Sequence, residues 1–160
     1  MIVIDIDNTV TDQMERLHRN YDVDLNVMVS KSTTEEELMK DKLYPYAKDV
    51  IVELSNRYDI IWLSARNSRL YDITLNWIKT NGLPCNKLIL VDKLEDKLPV
   101  LVNLNPKLFI DDLQYDLYSL KPKPALKFIE KLKEAKINFI VFKTSWADLG
   151  IILKVKGLIL

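Results

Sequence analysis

The stretch Ile2–Thr9, with the sequence IVIDIDNT, constrains the fold of this chain more than any other. An apolar run of this kind is typical of a buried strand in a parallel sheet, whose two faces are both covered. Asp5 and Asp7 then lie at the carboxyl end of that strand, where open α/β sheets bind their ligands. Two buried carboxylates are costly unless a cation or hydrogen bonds compensate them. The stretch therefore predicts either a binding site or a solvated acidic turn.

The rest of the chain alternates apolar, strand-like runs with amphipathic, helix-like segments. This alternation predicts a single α/β domain, 1–160, built on a doubly wound parallel sheet of about five strands in three α/β/α layers. Residues 13–44 are polar and form a small cap-like insertion, and 151–160 are an edge strand, a docking helix or a dimer contact. After the first strand, strands are predicted at 60–63, 88–91, 108–110 and 137–142, and helices at 33–40, 45–57, 68–81, 94–104 and 124–136.

Composition excludes several classes of protein. The 23 basic and 23 acidic residues cancel, which argues against a protein that coats nucleic acid. A single cysteine, Cys85, excludes an intrachain disulfide and a multi-cysteine zinc site, and three glycines are too few for a glycine-rich phosphate loop. There is no basic-then-apolar leader and no apolar run close to the roughly 20 residues that span a membrane. We therefore expect a cytoplasmic protein.

Polar side chains follow four of the predicted strands at the point where each strand ends. Because parallel strands end at the same edge of a sheet, these side chains should converge there. Clustered carboxylates repel one another, and a hard divalent cation such as Mg²⁺ relieves that repulsion and completes its shell with substrate phosphate. The sequence therefore predicts a Mg²⁺ and phosphate site at this edge, formed by Asp5, Asp7, Ser64, Asp92, Asp111 and Asp112.

Three of these strand ends, taken together and in order, resemble motifs of the haloacid dehalogenase-like (HAD) superfamily, which consists mostly of phosphatases. Asp5–Thr9 looks like its first motif, with Asn8 where Gly is common; Asn also tolerates left-handed backbone. Residues 60–64 resemble its second motif, an apolar strand that ends in Ser or Thr. Residues 108–112, with Asp116 four positions further on, resemble its acidic fourth motif. The resemblance implies a Rossmann-like sheet with strand order 3-2-1-4-5.

The resemblance also implies a role for each acid. Asp5 is the expected nucleophile, which forms an aspartyl-phosphate, and Asp7 is the expected general acid and base. The metal ligands would be the carboxylates of Asp5 and Asp112 and the backbone carbonyl of Asp7. Asp111 would belong to the same metal site and orient its waters or a neighbouring group. Ser64 would hydrogen-bond the transferred phosphoryl group.

A cation should neutralise the phosphoryl charge in the transition state. Lys97 is the preferred candidate, because a helix there can aim its side chain back at the sheet edge, and Lys93 is the alternative. Arg66 could hold a substrate phosphate with two parallel hydrogen bonds, or could be a surface residue at the start of a helix. Thr9 and Asn8 are placed with Arg66 among the substrate-binding residues, and Thr9 also braces the loop.

The substrate is predicted less narrowly than the reaction. A small insertion leaves the site open, and the layout of residues 11–66 resembles the phosphatase domain of phage-type polynucleotide kinases. That similarity implies a nucleotide or a terminal phosphate of a nucleic acid. A 5′(3′)-nucleotidase or a small-metabolite phosphatase of the same superfamily is the alternative. Two further alternatives are a phospho-receiver-like domain and a non-catalytic phosphate-binding protein. The apolar residues 151–160 could also mediate homo-oligomerisation.

Overall fold

A five-stranded parallel sheet lies at the centre of the computed structural model, which describes residues 1–115, 123–143 and 145–160. Asp116 lies outside these residues. In chain order the strands are β1 (Ile2–Ile4), β2 (Ile60–Ser64), β3 (Lys87–Leu90), β4 (Leu108–Asp111), β5 (Gln114–Tyr115), β6 (Lys123–Pro124) and β7 (Phe139–Val141). The sheet order is β3-β2-β1-β4-β7, with every neighbouring pair parallel.

The predicted α/β class and the central position of β1 are confirmed. The predicted order 3-2-1-4-5 matches except for the number of the last strand. That number changes because a short antiparallel ribbon, β5-β6, lies between β4 and β7 in the chain. The sequence analysis missed this ribbon because each of its strands has only two residues. A ribbon of this size carries too few residues for a period-two pattern to show.

Helices cover both faces of the sheet. Side chains of β1 alternate between the two faces, so that Ile2 and Ile4 join one apolar core while Val3 joins the other. The first core packs under α4, α5 and α8, and the second packs under α6 and α7. The helices are α1 (Gln13–Arg19), α2 (Leu25–Ser32), α3 (Glu35–Met39), α4 (Ala47–Ser55), α5 (Tyr71–Thr80), α6 (Lys97–Leu104), α7 (Leu126–Glu134) and α8 (Trp146–Val155).

The segment predicted as an insertion contains α1, α2 and α3, of which only α3 was anticipated. The predicted start of α3, at residue 33, was two residues early, because Thr34 is the N-cap, whose hydroxyl accepts a hydrogen bond from the amide of Glu37. Helix α1 was missed, although Asp12 and Glu15 have the spacing of a capping pair and Asp12 accepts a hydrogen bond from the amide of Glu15. These helices are five to eight residues long, and Leu17, Met28 and Leu38 are buried.

The C-terminal residues form a docking helix, which was one of the three predicted alternatives. Helix α8 packs Trp146, Leu149 and Leu153 into the first core, and Leu158 and Ile159 beyond it are also buried. Ile151, Ile152 and Val155 remain exposed on its outer face. Homo-oligomerisation through this face stays a prediction. Among the described residues, no helix combines the length and the apolar character needed to cross a membrane.

Candidate active site

The acidic loop begins where β1 ends. The amide of Asp5 still donates to the carbonyl of Ile110 in the adjacent strand at 2.9 Å, so the position of Asp5 is set by the sheet. The chain then turns sharply at Asn8, whose φ of 57° lies in the left-handed region that Asn tolerates. The side-chain oxygen of Asn8 accepts a hydrogen bond from the amide of Gln13 at 3.0 Å. The loop therefore leads directly into α1.

Thr9 connects the acidic loop to two other parts of the fold. Its hydroxyl donates to Oδ2 of Asp5 at 3.3 Å and accepts from the amide of Asp112 at 3.0 Å. Its carbonyl accepts from the indole nitrogen of Trp146 at 2.7 Å. Thr9 is fully buried, and neither it nor Asn8 lines the cavity described below. The hydrogen bonds of Thr9 and Asn8 hold the loop in place, and the part of these two residues in substrate binding stays a prediction.

Lys97 lies between two carboxylates at the centre of the site. Its Nζ is 2.7 Å from Oδ1 of Asp5 and 2.7 Å from Oδ2 of Asp111, and the residue is 2% exposed. Lys97 is the first residue of α6, which aims its side chain back at the sheet edge, whereas Lys93 is exposed. Burial alone would lower the pKa of Lys97, but Asp111 and Asp5 outweigh it and raise that pKa above its ordinary value. Lys97 is therefore a permanent cation.

Three carboxylates form a cluster that fits a hard cation. Asp5, Asp111 and Asp112 each offer an oxygen within 4.8 Å of the others, and all three residues are buried. Burial is the main cause that raises the pKa of Asp5 to about 7 and that of Asp112 to about 9. Oδ2 of Asp112 is buried and has no hydrogen-bond partner among the described residues. An orphaned carboxylate oxygen in an acidic cluster is the arrangement that a divalent cation would compensate.

The members of this cluster differ in how many free oxygens they offer. Oδ1 of Asp111 accepts from the amide of Leu113 at 2.7 Å, and Oδ2 accepts from Lys97, so both oxygens are engaged. Asp5 uses Oδ1 for Lys97 and has only the longer contact with Thr9 at Oδ2. Asp5 and Asp112 therefore offer the better metal donors, and Asp111 is placed to hold Lys97.

Asp7 is held by two arginines. Arg66 donates from Nε to Oδ2 at 2.6 Å and from Nη2 to Oδ1 at 2.8 Å, and Arg16 donates from Nη2 to Oδ1 at 3.0 Å. Burial alone would raise the pKa of Asp7, but the ion pairs with Arg66 and Arg16 outweigh it and hold that pKa well below its usual range. Asp7 is therefore a carboxylate in this arrangement, and Arg66 is a buried partner of Asp7 and not a surface residue.

Arg16 is the site residue that the sequence analysis missed. It lies on α1, is 2% exposed, and bridges Asp7 to Asp41 through its two terminal nitrogens. No local pattern marks it, because its partners lie 9 and 25 residues away in the sequence. Recognising α1 from its capping pair would have placed Arg16 within one helical turn of Gln13, but not against Asp7.

The groups converge on one cavity of about 680 Å³ at the carboxyl edge of the sheet. Ser64, at the end of β2, is buried and lines it, and so does Asp92, which is exposed. Helices of the insertion form part of the wall through Arg16, Val29 and Leu38. The cavity brings together residues predicted from the sequence as one site: Asp5, Asp7, Ser64, Arg66, Asp92, Lys93, Lys97, Asp111 and Asp112.

Comparison with known proteins adds one similarity. An alignment over 132 residues is 29% identical to a "putative nucleotidase" from Halalkalibacterium halodurans, and the match covers 68% of this chain and 67% of the other protein. No protein-family model matches the chain. The similarity supports a phosphatase or nucleotidase, while membership of the HAD superfamily stays a prediction.

Proposed function

We propose that this protein is a Mg²⁺-dependent phosphomonoester hydrolase that works through an aspartyl-phosphate on Asp5. The observation that carries the proposal is the position of Lys97, whose ammonium bridges Asp5 and Asp111 beside the orphaned oxygen of Asp112. Phosphoryl transfer to an aspartate requires a nucleophilic carboxylate, a fixed cation and a carboxylate oxygen that is free to bind the metal ion.

In the first half-reaction, a carboxylate oxygen of Asp5 forms a bond to phosphorus while the bond to the leaving oxygen breaks. Lys97 neutralises charge that would otherwise keep the nucleophile and the phosphate apart. The hydroxyl of Ser64 donates a hydrogen bond to a phosphoryl oxygen. Asp5, Asp112 and the carbonyl of Asp7 would hold Mg²⁺, which would supply further neutralisation of the phosphoryl oxygens.

Asp7 supplies the proton that the leaving oxygen needs, and removes a proton from the water that later attacks phosphorus. That second step releases phosphate and restores the Asp5 carboxylate. The ion pairs of Asp7 with Arg66 and Arg16 both favour its carboxylate form. Asp7 can therefore donate a proton only after its ion pair with Arg66 has broken. A phosphate dianion that enters the cavity competes for the same guanidinium. Arg66 turning towards the substrate would therefore raise the pKa of Asp7, so that Asp7 takes up a proton from solvent before it donates that proton to the leaving oxygen.

The substrate that the cavity favours is a nucleotide or a terminal phosphate of a nucleic acid. The wall of the cavity carries Arg66, Arg69 and Lys93 around the anionic centre, which suits a substrate with a charged end. The similarity to a "putative nucleotidase" supports the nucleotide alternative. A small-metabolite phosphatase is the second candidate within the same chemistry. Asp7 argues against a phospho-receiver, because a receiver must keep its phosphoryl group, and the complete set of acids argues against a non-catalytic binding protein.

A panel of phosphomonoesters tests the proposal. It includes 5′- and 3′-nucleotides and 3′-phosphorylated oligonucleotides, each assayed for phosphate release with Mg²⁺ and with EDTA. Asp5→Asn should abolish turnover, whereas Asp49→Asn makes the same substitution at an exposed position on α4 and should not. No turnover of any member with Mg²⁺, or equal turnover of Asp5→Asn and the wild type, would refute the assignment.

A further inference from the structure

We infer that Arg16, on the insertion, is a positioning residue that holds Asp7 in its reactive place. The inference rests on the proposed function, since it assigns Arg16 through the proton transfer by Asp7. It also gives the insertion a role beyond forming a wall of the cavity. Among the described residues, two arginines contact Asp7: Arg66 follows β2, and Arg16 lies on α1 of the insertion.

Arg16 is fixed at both ends of its guanidinium. One terminal nitrogen contacts Oδ1 of Asp7 at 3.0 Å, and the other contacts Oδ2 of Asp41. Asp41 is itself held, because its other oxygen accepts from Arg19 at 3.2 Å and its carbonyl accepts from the indole of Trp77 at 3.0 Å. A planar guanidinium between two anchored carboxylates has little rotational freedom left. Arg16 therefore fixes Asp7 relative to the core helix α5, to which it is connected through Asp41 and Trp77.

Arg66 and Arg16 contact Asp7 in different ways. Arg66 uses both Nε and Nη2 on Asp7, so it loses both contacts when it turns to a substrate phosphate. Arg16 donates from one terminal nitrogen to Asp7 and from the other to Asp41. A substrate phosphate could therefore pair with Arg16 only if the buried ion pair with Asp41 also broke. Breaking a buried pair leaves an uncompensated charge, which is costly. Arg16 is therefore the arginine that keeps Asp7 aligned after substrate has bound.

Arg19 provides a matched control on the same helix. It lies less than one turn after Arg16 and forms ion pairs with Glu15, Glu37 and Asp41, but it makes no contact with Asp7 among the described residues. Loss of Arg19 would loosen the ionic network of the insertion in the same way as loss of Arg16. Only loss of Arg16 also removes a hydrogen bond from Asp7.

The test compares Arg16→Met with Arg19→Met on two substrates of different leaving-group chemistry. A nucleoside monophosphate releases its nucleoside as an alkoxide, which needs the proton of Asp7, whereas p-nitrophenyl phosphate releases a stabilised phenolate, which needs it little. We expect Arg16→Met to lower kcat/KM for the nucleotide about 100-fold, the size of loss that a misplacement of about 1 Å causes. For p-nitrophenyl phosphate we expect a loss below about 5-fold, since proton donation contributes little there.

Arg19→Met should change both substrates alike, and by less than about 3-fold, because Arg19 itself is exposed and its loss leaves both arginines on Asp7 and the Arg16–Asp41 ion pair in place. Arg16→Lys should recover only part of the nucleotide activity, because an ammonium cannot bridge Asp7 and Asp41 as the guanidinium does. Circular dichroism and thermal unfolding identify any variant that fails to fold. Equal losses on both substrates in Arg16→Met, or equal behaviour of the two methionine variants, would overturn the inference. A wild type that hydrolyses neither substrate would instead refute the proposed function, and the inference with it.

Discussion

Lys97 and Asp5 are 92 residues apart in the sequence, and in the structure Nζ of Lys97 lies 2.7 Å from Oδ1 of Asp5. The contact joins the first residue of α6 to the end of β1, and a second contact of equal length joins Lys97 to Asp111 at the end of β4. Two neighbouring strands and the helix that packs beside them thus share one buried cation. This arrangement gives the nucleophile and its charge partner a fixed geometry before any substrate arrives.

Lys97→Met should abolish most of the activity and destabilise the metal-free protein. Loss of a group that stabilises transition-state charge typically lowers kcat by about 10²–10³-fold. The same change leaves Asp5 and Asp111 without their buried partner, and breaking such a pair costs about 3–5 kcal/mol. Urea unfolding in EDTA measures the second effect. Lys93→Met is the comparison, because Lys93 is exposed on the cavity wall: the variant should keep its stability and lose only a small part of its turnover. A loss comparable to that of Lys97→Met would show that the wrong lysine has been assigned.

Stability of the metal-free protein should fall as the pH rises from about 4 to about 9. Asp5 and Asp112 have an ordinary pKa of 3.8, and burial raises it to about 7 and about 9 in the folded state. Between those values the folded protein binds more protons than the unfolded chain, so each rise in pH favours unfolding. Thermal unfolding in EDTA at pH 5.5, 7 and 8.5 measures the trend.

Mg²⁺ should stabilise the protein more at pH 8.5 than at pH 5.5, because the cation must displace protons from the same carboxylates. Thermal unfolding with and without Mg²⁺ at both values gives the difference. Asp112→Asn removes the orphaned oxygen's charge and should abolish most of the pH-dependent gain. If Mg²⁺ raised the unfolding temperature equally at both pH values, the result would contradict a site whose carboxyl groups must lose protons before the metal binds.

Trp146→Phe should lower both stability and activity, because it removes the hydrogen bond from the indole to the carbonyl of Thr9 while keeping an aromatic ring. Leaving a buried acceptor unsatisfied costs about 1–3 kcal/mol. Trp62→Phe is the matched control, since its indole donates to the carbonyl of Pro84 at 2.9 Å, away from the cavity. We expect both variants to lose stability and only Trp146→Phe to lose turnover. Equal turnover in the two would show that this bond does not position the acidic loop.

Arg66→Lys should weaken the binding of phosphate to the site. A lysine keeps the charge but cannot make the paired hydrogen bonds of a guanidinium. Loss of one charge-assisted hydrogen bond, worth about 1.5–3 kcal/mol, corresponds to roughly 10–100-fold in affinity. The inhibition constant of inorganic phosphate, measured against a nucleotide substrate, reports the change. Arg57→Lys, at an exposed position between α4 and β2 that does not line the cavity, should leave that constant unaltered.

The strands of the sheet could be predicted because their signal is local. The strands Ile2–Ile4, Ile60–Ser64 and Leu108–Asp111 are apolar runs that end in a polar residue or are followed directly by one. All of their residues are buried. The short helices of the insertion gave no comparable signal. Helices α1 and α2 are only seven and eight residues long, too short for an apolar repeat to show, so their stability comes from packing.

The stretch Ile2–Thr9 alone determined a buried strand with two acids at its carboxyl end, because an apolar run and its period are properties of neighbouring residues. Only the tertiary structure decided what surrounds those acids. It placed Lys97 and not Lys93 against Asp5, since the start of α6 sets the direction of the side chain. It also brought Arg16 and Arg66 to Asp7, although these residues lie 9 and 59 positions away in the chain. Ion pairs depend on distance in space, and sequence spacing does not encode that distance.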